Sequence, residues 1–93
     1  MPTIFILFGF RFFFFANDHE PIHVHVEKGN NKAKFSLFPV ALVENHGLKA
    51  AEIKMAESVI EENVEVISEH WNRFFSSPII TTFWSLLSLV LVN

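Results

Sequence analysis

The stretch IHVHVEKGNNKAKFSL, residues 22–37, decides the fold of this chain. Apolar and polar side chains alternate on both sides of a Gly-Asn-Asn segment, a pattern typical of two antiparallel strands that each bury one face. We expect Val24, Val26 and Phe35 to point into the protein. The predicted outer face carries the polar residues His23, His25, Glu27, Lys32, Lys34 and Ser36. The stretch therefore predicts a β-hairpin with an apolar inner face and a polar outer face.

Two turns fit this hairpin equally well. A two-residue turn at residues 29–30 pairs Glu27 with Lys32, whereas a turn at residues 30–31 pairs Glu27 with Lys34. Both alternatives leave the same residues on the same face, so the sequence predicts the faces but leaves the register open.

The residues before and after the hairpin predict further strands. Residues 3–16, TIFILFGFRFFFFA, are β-branched and aromatic, and we predict strands at about Thr3–Phe8 and Phe10–Ala16 with a bend at Gly9. Apolar side chains fall on both faces of this pair, so part of it is covered on both sides or lies in a homo-oligomer interface. Residues 38–48 are interpreted as a connector with a short edge strand at Val40–Val43.

The remainder of the domain is predicted to be helical, over residues 49–75 with a kink or break near Glu62-Asn63. Apolar residues recur there at helical spacing and form one stripe. The stripe consists of Ile53, Ala56, Ile60, Val64, Ile67, Trp71 and Phe74. We therefore expect an α+β fold, a small antiparallel sheet of about four strands covered by one long or kinked C-terminal helical segment. Residues 1–75 form this single domain, and residues 76–93 form an apolar C-terminal tail.

Composition excludes several classes of function. The chain has 93 residues, no cysteine and a net charge of −3, so disulfide scaffolds and thiol catalysis are excluded and no nucleic-acid partner is expected. A reducing cytoplasm is the expected location. The alternative is a membrane anchor through residues 74–92, which carry no charge.

The polar face of the hairpin is the first candidate site. His23 and His25 lie two residues apart on one strand, so both imidazoles leave the same face and can hold a divalent metal. His19 or Glu27 is the expected third ligand. A solvated or partner-facing strand explains the same pattern without a metal, and we expect no cofactor. A third interpretation is general acid–base catalysis, with Asp18 or Glu20 orienting an imidazole.

The helical segment carries the second candidate site. Glu57, Glu61 and Glu65 follow one another at intervals of four residues and therefore line one helix face. A solubilising outer face is the simplest interpretation of such a charge run. The functional alternative is an acidic docking surface for a basic protein partner.

Several short motifs resemble one prokaryotic family, known as domain of unknown function 4160. They are Met1-Pro2-Thr3-Ile4, Gly9-Phe10-Arg11, Asp18-His19-Glu20-Pro21-Ile22-His23-Val24-His25-Val26, Lys32-Ala33-Lys34-Phe35, Glu61-Glu62-Asn63 and Trp71. By motif matching, the signature residues of the family are His19, Pro21, His23 and His25 here. The apolar tail after Ser77 is not typical of the family.

The resemblance implies a small single-domain α+β protein. Genes of the family often lie beside those of another small family, domain of unknown function 2442, in an arrangement like a toxin–antitoxin pair. We therefore expect a protein–protein interaction module whose partner is encoded by a neighbouring gene. The alternative is a metal-dependent or histidine-based hydrolase or nuclease that uses His19, His23 and His25.

Overall fold

The structure, a computed structural model, describes residues 3–75, and the predicted tail at residues 76–93 lies outside them. Five strands form one antiparallel sheet in which each strand pairs with its neighbour in sequence, and two helices follow. The elements are β1 (Thr3–Leu7), β2 (Phe10–Phe13), β3 (His23–Lys28), β4 (Asn31–Leu37), β5 (Val40–His46), α1 (Ala50–Glu62) and α2 (Val64–Phe75). This order of elements confirms the α+β fold.

The central hairpin, β3 and β4, has the predicted faces. Val24, Val26 and Phe35 are fully buried, and His25 lies opposite Lys34 on the other face. Glu27 pairs with Lys32, so the turn occupies residues 29–30. Gly29 takes a φ of 61°, which places the glycine at the turn position that a side chain tolerates poorly.

The first hairpin differs from the prediction in its limits. β1 ends at Leu7 because Phe8 and Gly9, with φ of 54° and 79°, form the turn. A turn with two positive φ values matches the right-handed twist of the strands that it joins. β2 ends at Phe13 instead of Ala16, and the chain then leaves the sheet as a loop.

The connector at residues 38–48 was predicted with too short a strand. β5 runs from Val40 to His46, and it makes the fifth strand of a sheet predicted to have about four. Its pairing with β4 shifts between Lys34 and Phe35. This bulge interrupts the alternation that would otherwise reveal a strand in the sequence.

The helical segment breaks where the sequence predicted, at Asn63 between α1 and α2. Trp71 and Ile67 are buried as expected, and Val59 joins them although it lies outside the predicted stripe. Phe74 was wrongly placed in the stripe, because it is 45% exposed and Phe75 packs against the core in its place.

The α1 boundary has its own stabilising contact. Lys49 takes the N-cap position with no Ser-type side chain there, and its backbone N–H donates to the Glu52 carboxylate at 2.9 Å. The Glu52 carboxylate also pairs with Lys28 at 3.4 Å, which ties the start of α1 to the end of β3.

The core lies between the two helices and one face of the sheet. Its members from the sheet and the loop that follows β2 include Phe10, Phe12, Phe14 and Leu37. Among the described residues, neither helix combines the length and the apolarity that a membrane span requires.

Candidate functional site

The loop between β2 and β3 carries the acidic residue of the first site, Asp18. The loop closes on itself, because the Asp18 backbone N–H donates to the Phe15 carbonyl at 3.1 Å and the Phe15 N–H donates to Asp18 Oδ2 at 2.8 Å. Asp side chains favour such local bonds to the backbone in turns. The carboxylate is therefore held by the backbone before any other group contacts it.

Asp18, His23 and His25 form a cluster, called here the Asp–His cluster. His23 Nε2 lies 3.2 Å from Asp18 Oδ1, and His25 Nε2 lies 3.1 Å from Asp18 Oδ2. One potential ligand atom from each residue lies within 4.8 Å of the others. The three side chains are only 11–16% exposed, so water screens their interactions incompletely.

A second contact determines the tautomer of His23. Its Nδ1 lies 2.8 Å from the carbonyl oxygen of Pro21, and because a carbonyl only accepts, the proton is on Nδ1. In the neutral ring, Nε2 then presents a lone pair to the Asp18 carboxylate. Two lone pairs at this distance repel, and a cation bound by both groups would remove that repulsion.

Two aromatic rings bury His25. Its ring stacks on Phe13, with centroids 5.5 Å apart, and meets Phe15 edge-on at 4.5 Å. Burial lowers the pKa of His25, and the Asp18 carboxylate opposes this effect only in part. His25 is therefore neutral at neutral pH and can donate from Nε2 to Asp18.

The pKa of the Asp18 carboxyl lies below its usual value. Burial alone would raise this pKa, but the hydrogen bond from Phe15 and the interactions with His25 and His23 outweigh burial. The carboxylate is thus ionised over the whole neutral range and supplies the negative charge of the cluster.

The other residues predicted for this site lie elsewhere. His19 is exposed, and its Nδ1 bonds to the Asn17 carbonyl at 3.1 Å. Glu27 lies beside Arg11 at 3.7 Å and Lys32 at 3.8 Å. The structure therefore brings His23 and His25 together with Asp18, and it does not bring His19 or Glu27 to them.

On the rest of the outer sheet face, charged side chains lie beside neighbours of opposite charge. Arg11 lies over the Phe13 ring at 4.2 Å as well as beside Glu27. Lys34 pairs with Glu44 on β5 at 3.7 Å. Acids and bases alternate across neighbouring strands, which stabilises a sheet face by cross-strand pairing.

A second candidate surface, called here the acidic cleft, lies at the break between the helices. The cleft has a volume of about 500 Å³. It is lined by Phe38, Glu61, Glu62, Asn63, Val64, Glu65 and Val66. Phe38, between β4 and β5, is 67% exposed there, and Val66 is 42% exposed. The cleft thus combines exposed apolar side chains with three carboxylates.

The predicted acidic stripe is divided by the helix break. Glu61 and Glu65 both line the cleft, joined by Glu62, whereas Glu57 is half-buried and is not part of the lining. Within residues 3–75, the three cleft carboxylates form no ion pair with a cationic side chain. Their charges therefore reinforce one another across the cleft.

Comparison with known proteins gives one family and no closer relative. Neither a curated protein nor a solved structure matches the chain significantly. The family described as "Domain of unknown function (DUF4160)" matches residues 9–72, which include both candidate sites. Because this match covers more than half of the 93 residues, the chain belongs to that family.

Proposed function

We propose that this protein is a protein-interaction module that binds a basic segment of a partner protein in the acidic cleft. The observation that supports this most is the combination of exposed Phe38 with three carboxylates that lack cationic partners among the described residues. An exposed aromatic ring surrounded by negative charges gives a partner an apolar contact and also selects a partner segment of positive charge.

Charge compensation favours the acidic cleft over the outer face of the sheet. Arg11, Glu27 and Lys34 each have an oppositely charged neighbour on the sheet, so a partner there would have to displace existing pairs. Glu61 and Glu65 have no such neighbour in the described part of the chain. A cation from a partner gains attraction in the cleft without breaking an internal pair.

The proposed partner follows from the charge and from the family. The cleft suits a short segment in which lysine or arginine flanks one apolar side chain. A small protein encoded by a neighbouring gene, in a toxin–antitoxin-like pair in the cytoplasm, is the source that the family resemblance suggests.

Copurification with charge-reversed variants tests this proposal. The full chain is coexpressed with the neighbouring gene product, and Glu61→Lys/Glu65→Lys is expected to abolish copurification. Glu69→Lys is the matched control, since Glu69 is an exposed acid on α2 outside the cleft lining. Equal capture of the partner by the charge-reversed variant and by wild type would contradict the proposal, as would equal loss in both variants.

A histidine-based hydrolase is the second candidate, because Asp18 contacts both His23 and His25 as an orienting carboxylate does. Hydrolysis of RNA and of a nitrophenyl phosphodiester by wild type and His23→Ala would test it. Equal rates in the two proteins would exclude the cluster from catalysis of these reactions.

A further inference from the structure

We propose that the Asp–His cluster is a binding site for a borderline first-row divalent cation such as Zn²⁺. Its ligands are a carboxylate oxygen of Asp18 and the Nε2 atoms of His23 and His25. His25 binds as the tautomer protonated on Nδ1, so the metal replaces the Nε2 proton that His25 donates to Asp18 in the free protein. Two imidazoles and one carboxylate suit zinc, iron, cobalt or nickel better than magnesium or calcium, which prefer all-oxygen sites.

The spacing of the ligand atoms supports the proposal. Metal–ligand bonds of about 2.0–2.1 Å hold two ligands of a tetrahedral ion about 3.3–3.4 Å apart. The two Nε2–carboxylate distances are 3.2 Å and 3.1 Å. Asp18 Oδ1 alone lies 3.2 Å from His23 Nε2 and 3.3 Å from His25 Nε2, so these two edges are within a few tenths of an ångström of the expected spacing. The third edge, between the two Nε2 atoms, is no longer than 4.8 Å.

The bond between His23 and Pro21 supplies a second, independent observation. Metal-bound histidines usually donate the proton of their other ring nitrogen to a carbonyl or carboxylate, which orients the ring and directs its lone pair at the metal. His23 has this arrangement, with Nδ1 on the Pro21 carbonyl at 2.8 Å and Nε2 in the cluster. A cation there also removes the lone-pair repulsion between His23 and Asp18.

The other two ligands are held in place without the metal. The Phe15 N–H donates to Asp18 Oδ2 at 2.8 Å, and the His25 ring packs against both Phe13 and Phe15, which also contact each other. Such preorganisation lowers the conformational cost of binding. Three protein ligands leave at least one coordination position of the ion for water or another ligand, as in catalytic zinc sites.

Metal titration of the full chain tests the proposal. We expect one equivalent of Zn²⁺ in calorimetry and, with Co²⁺, the visible absorption of a tetrahedral site, while Mg²⁺ gives no heat. His23→Gln and Asp18→Asn are each expected to weaken Zn²⁺ binding about tenfold or more. The amide introduced by Asp18→Asn retains an oxygen acceptor for the Phe15 N–H, so this variant keeps the loop bond.

His19→Gln is the matched control, because His19 is exposed and lies outside the cluster. It is expected to bind Zn²⁺ as wild type does. Circular dichroism without metal verifies that each variant is folded. If only one of His23→Gln and Asp18→Asn is folded, that variant alone is compared with His19→Gln. Absence of stoichiometric Zn²⁺ or Co²⁺ binding by wild type would overturn the proposal. So would Zn²⁺ binding of wild-type strength in a folded Asp18→Asn or His23→Gln variant, whatever the result for His19→Gln.

Discussion

Asp18 shows at the scale of single residues how a turn can organise a site. The same carboxylate accepts the Phe15 N–H and contacts both His23 and His25. The sequence predicts that Asp18 or Glu20 could orient an imidazole, but it cannot choose between them. That choice depends on the path of the loop across seven residues, which local patterns do not determine.

At the same scale, the pKa of His25 predicts how stability depends on pH. Because burial lowers this pKa below 6.5, the unfolded chain takes up the proton first as pH falls. The contribution of neutral His25 to the free energy of unfolding is therefore present above about pH 6.5. It is lost as pH falls from that value toward the pKa of His25 in the folded protein. Urea denaturation with chelator at pH 7.5 and 5.5 is expected to show lower stability at pH 5.5.

His25→Gln is the comparison for this measurement, since glutamine can still donate to Asp18 but does not titrate. The variant is expected to lose less stability between pH 7.5 and 5.5 than wild type does. An equal or larger loss in the variant would contradict the assignment to His25. Asp18 affects stability in a separate pH range. Because its pKa is lowered in the folded protein, its contribution to the free energy of unfolding is lost only as pH falls below about 4.

At the scale of elements, α2 is held by a few buried side chains. Ile67 is fully buried, so Ile67→Ala is expected to lower the free energy of unfolding by about 2–5 kcal/mol. Val66, its neighbour on α2, is 42% exposed, and Val66→Ala is expected to change stability by no more than about 0.5 kcal/mol. Chemical denaturation measures both, and similar losses would mean that α2 does not pack on the sheet through Ile67.

The elements differ in how far their sequences predict them. The β3–β4 hairpin was predictable with its faces, because burial on one side imposes strict alternation. A break near Asn63 was predicted as well, although the apolar stripe continues from Ile60 to Val64 at helical spacing. β5 was underestimated, because its bulge shifts the alternation and its last three residues, Glu44–His46, are polar. An edge strand has a partner on one side only, so its sequence is less constrained.

At the scale of the whole molecule, the described core predicts that residues 1–75 suffice for folding. Among residues 3–75, all buried members of the core lie between Phe10 and Trp71. A chain that ends at Phe75 is expected to unfold cooperatively in a thermal melt, whereas a chain that ends at Glu62 lacks Ile67 and Trp71 and is expected to remain unfolded. A non-cooperative melt of the 1–75 chain would show that the tail is part of the folding unit.

The acidic cleft could not be predicted from the sequence, because it combines segments that are distant along the chain. The spacing of Glu57, Glu61 and Glu65 predicts an acidic face, but a straight helix would place all three in one row. The break at Asn63 and the arrival of Phe38 from the β4–β5 turn combine two of these acids with an apolar ring. Such a meeting of distant segments is a property of tertiary packing.

The most direct test of the proposed function is to map where the partner binds. The full chain, labelled with nitrogen-15, is titrated with the purified neighbouring gene product and followed by amide chemical shifts. The largest changes are expected at Phe38 and at residues 61–66, with little change at the amides of His23 and His25. Changes concentrated on the outer sheet face, with the amides of the acidic cleft unaffected, would contradict the proposed docking site.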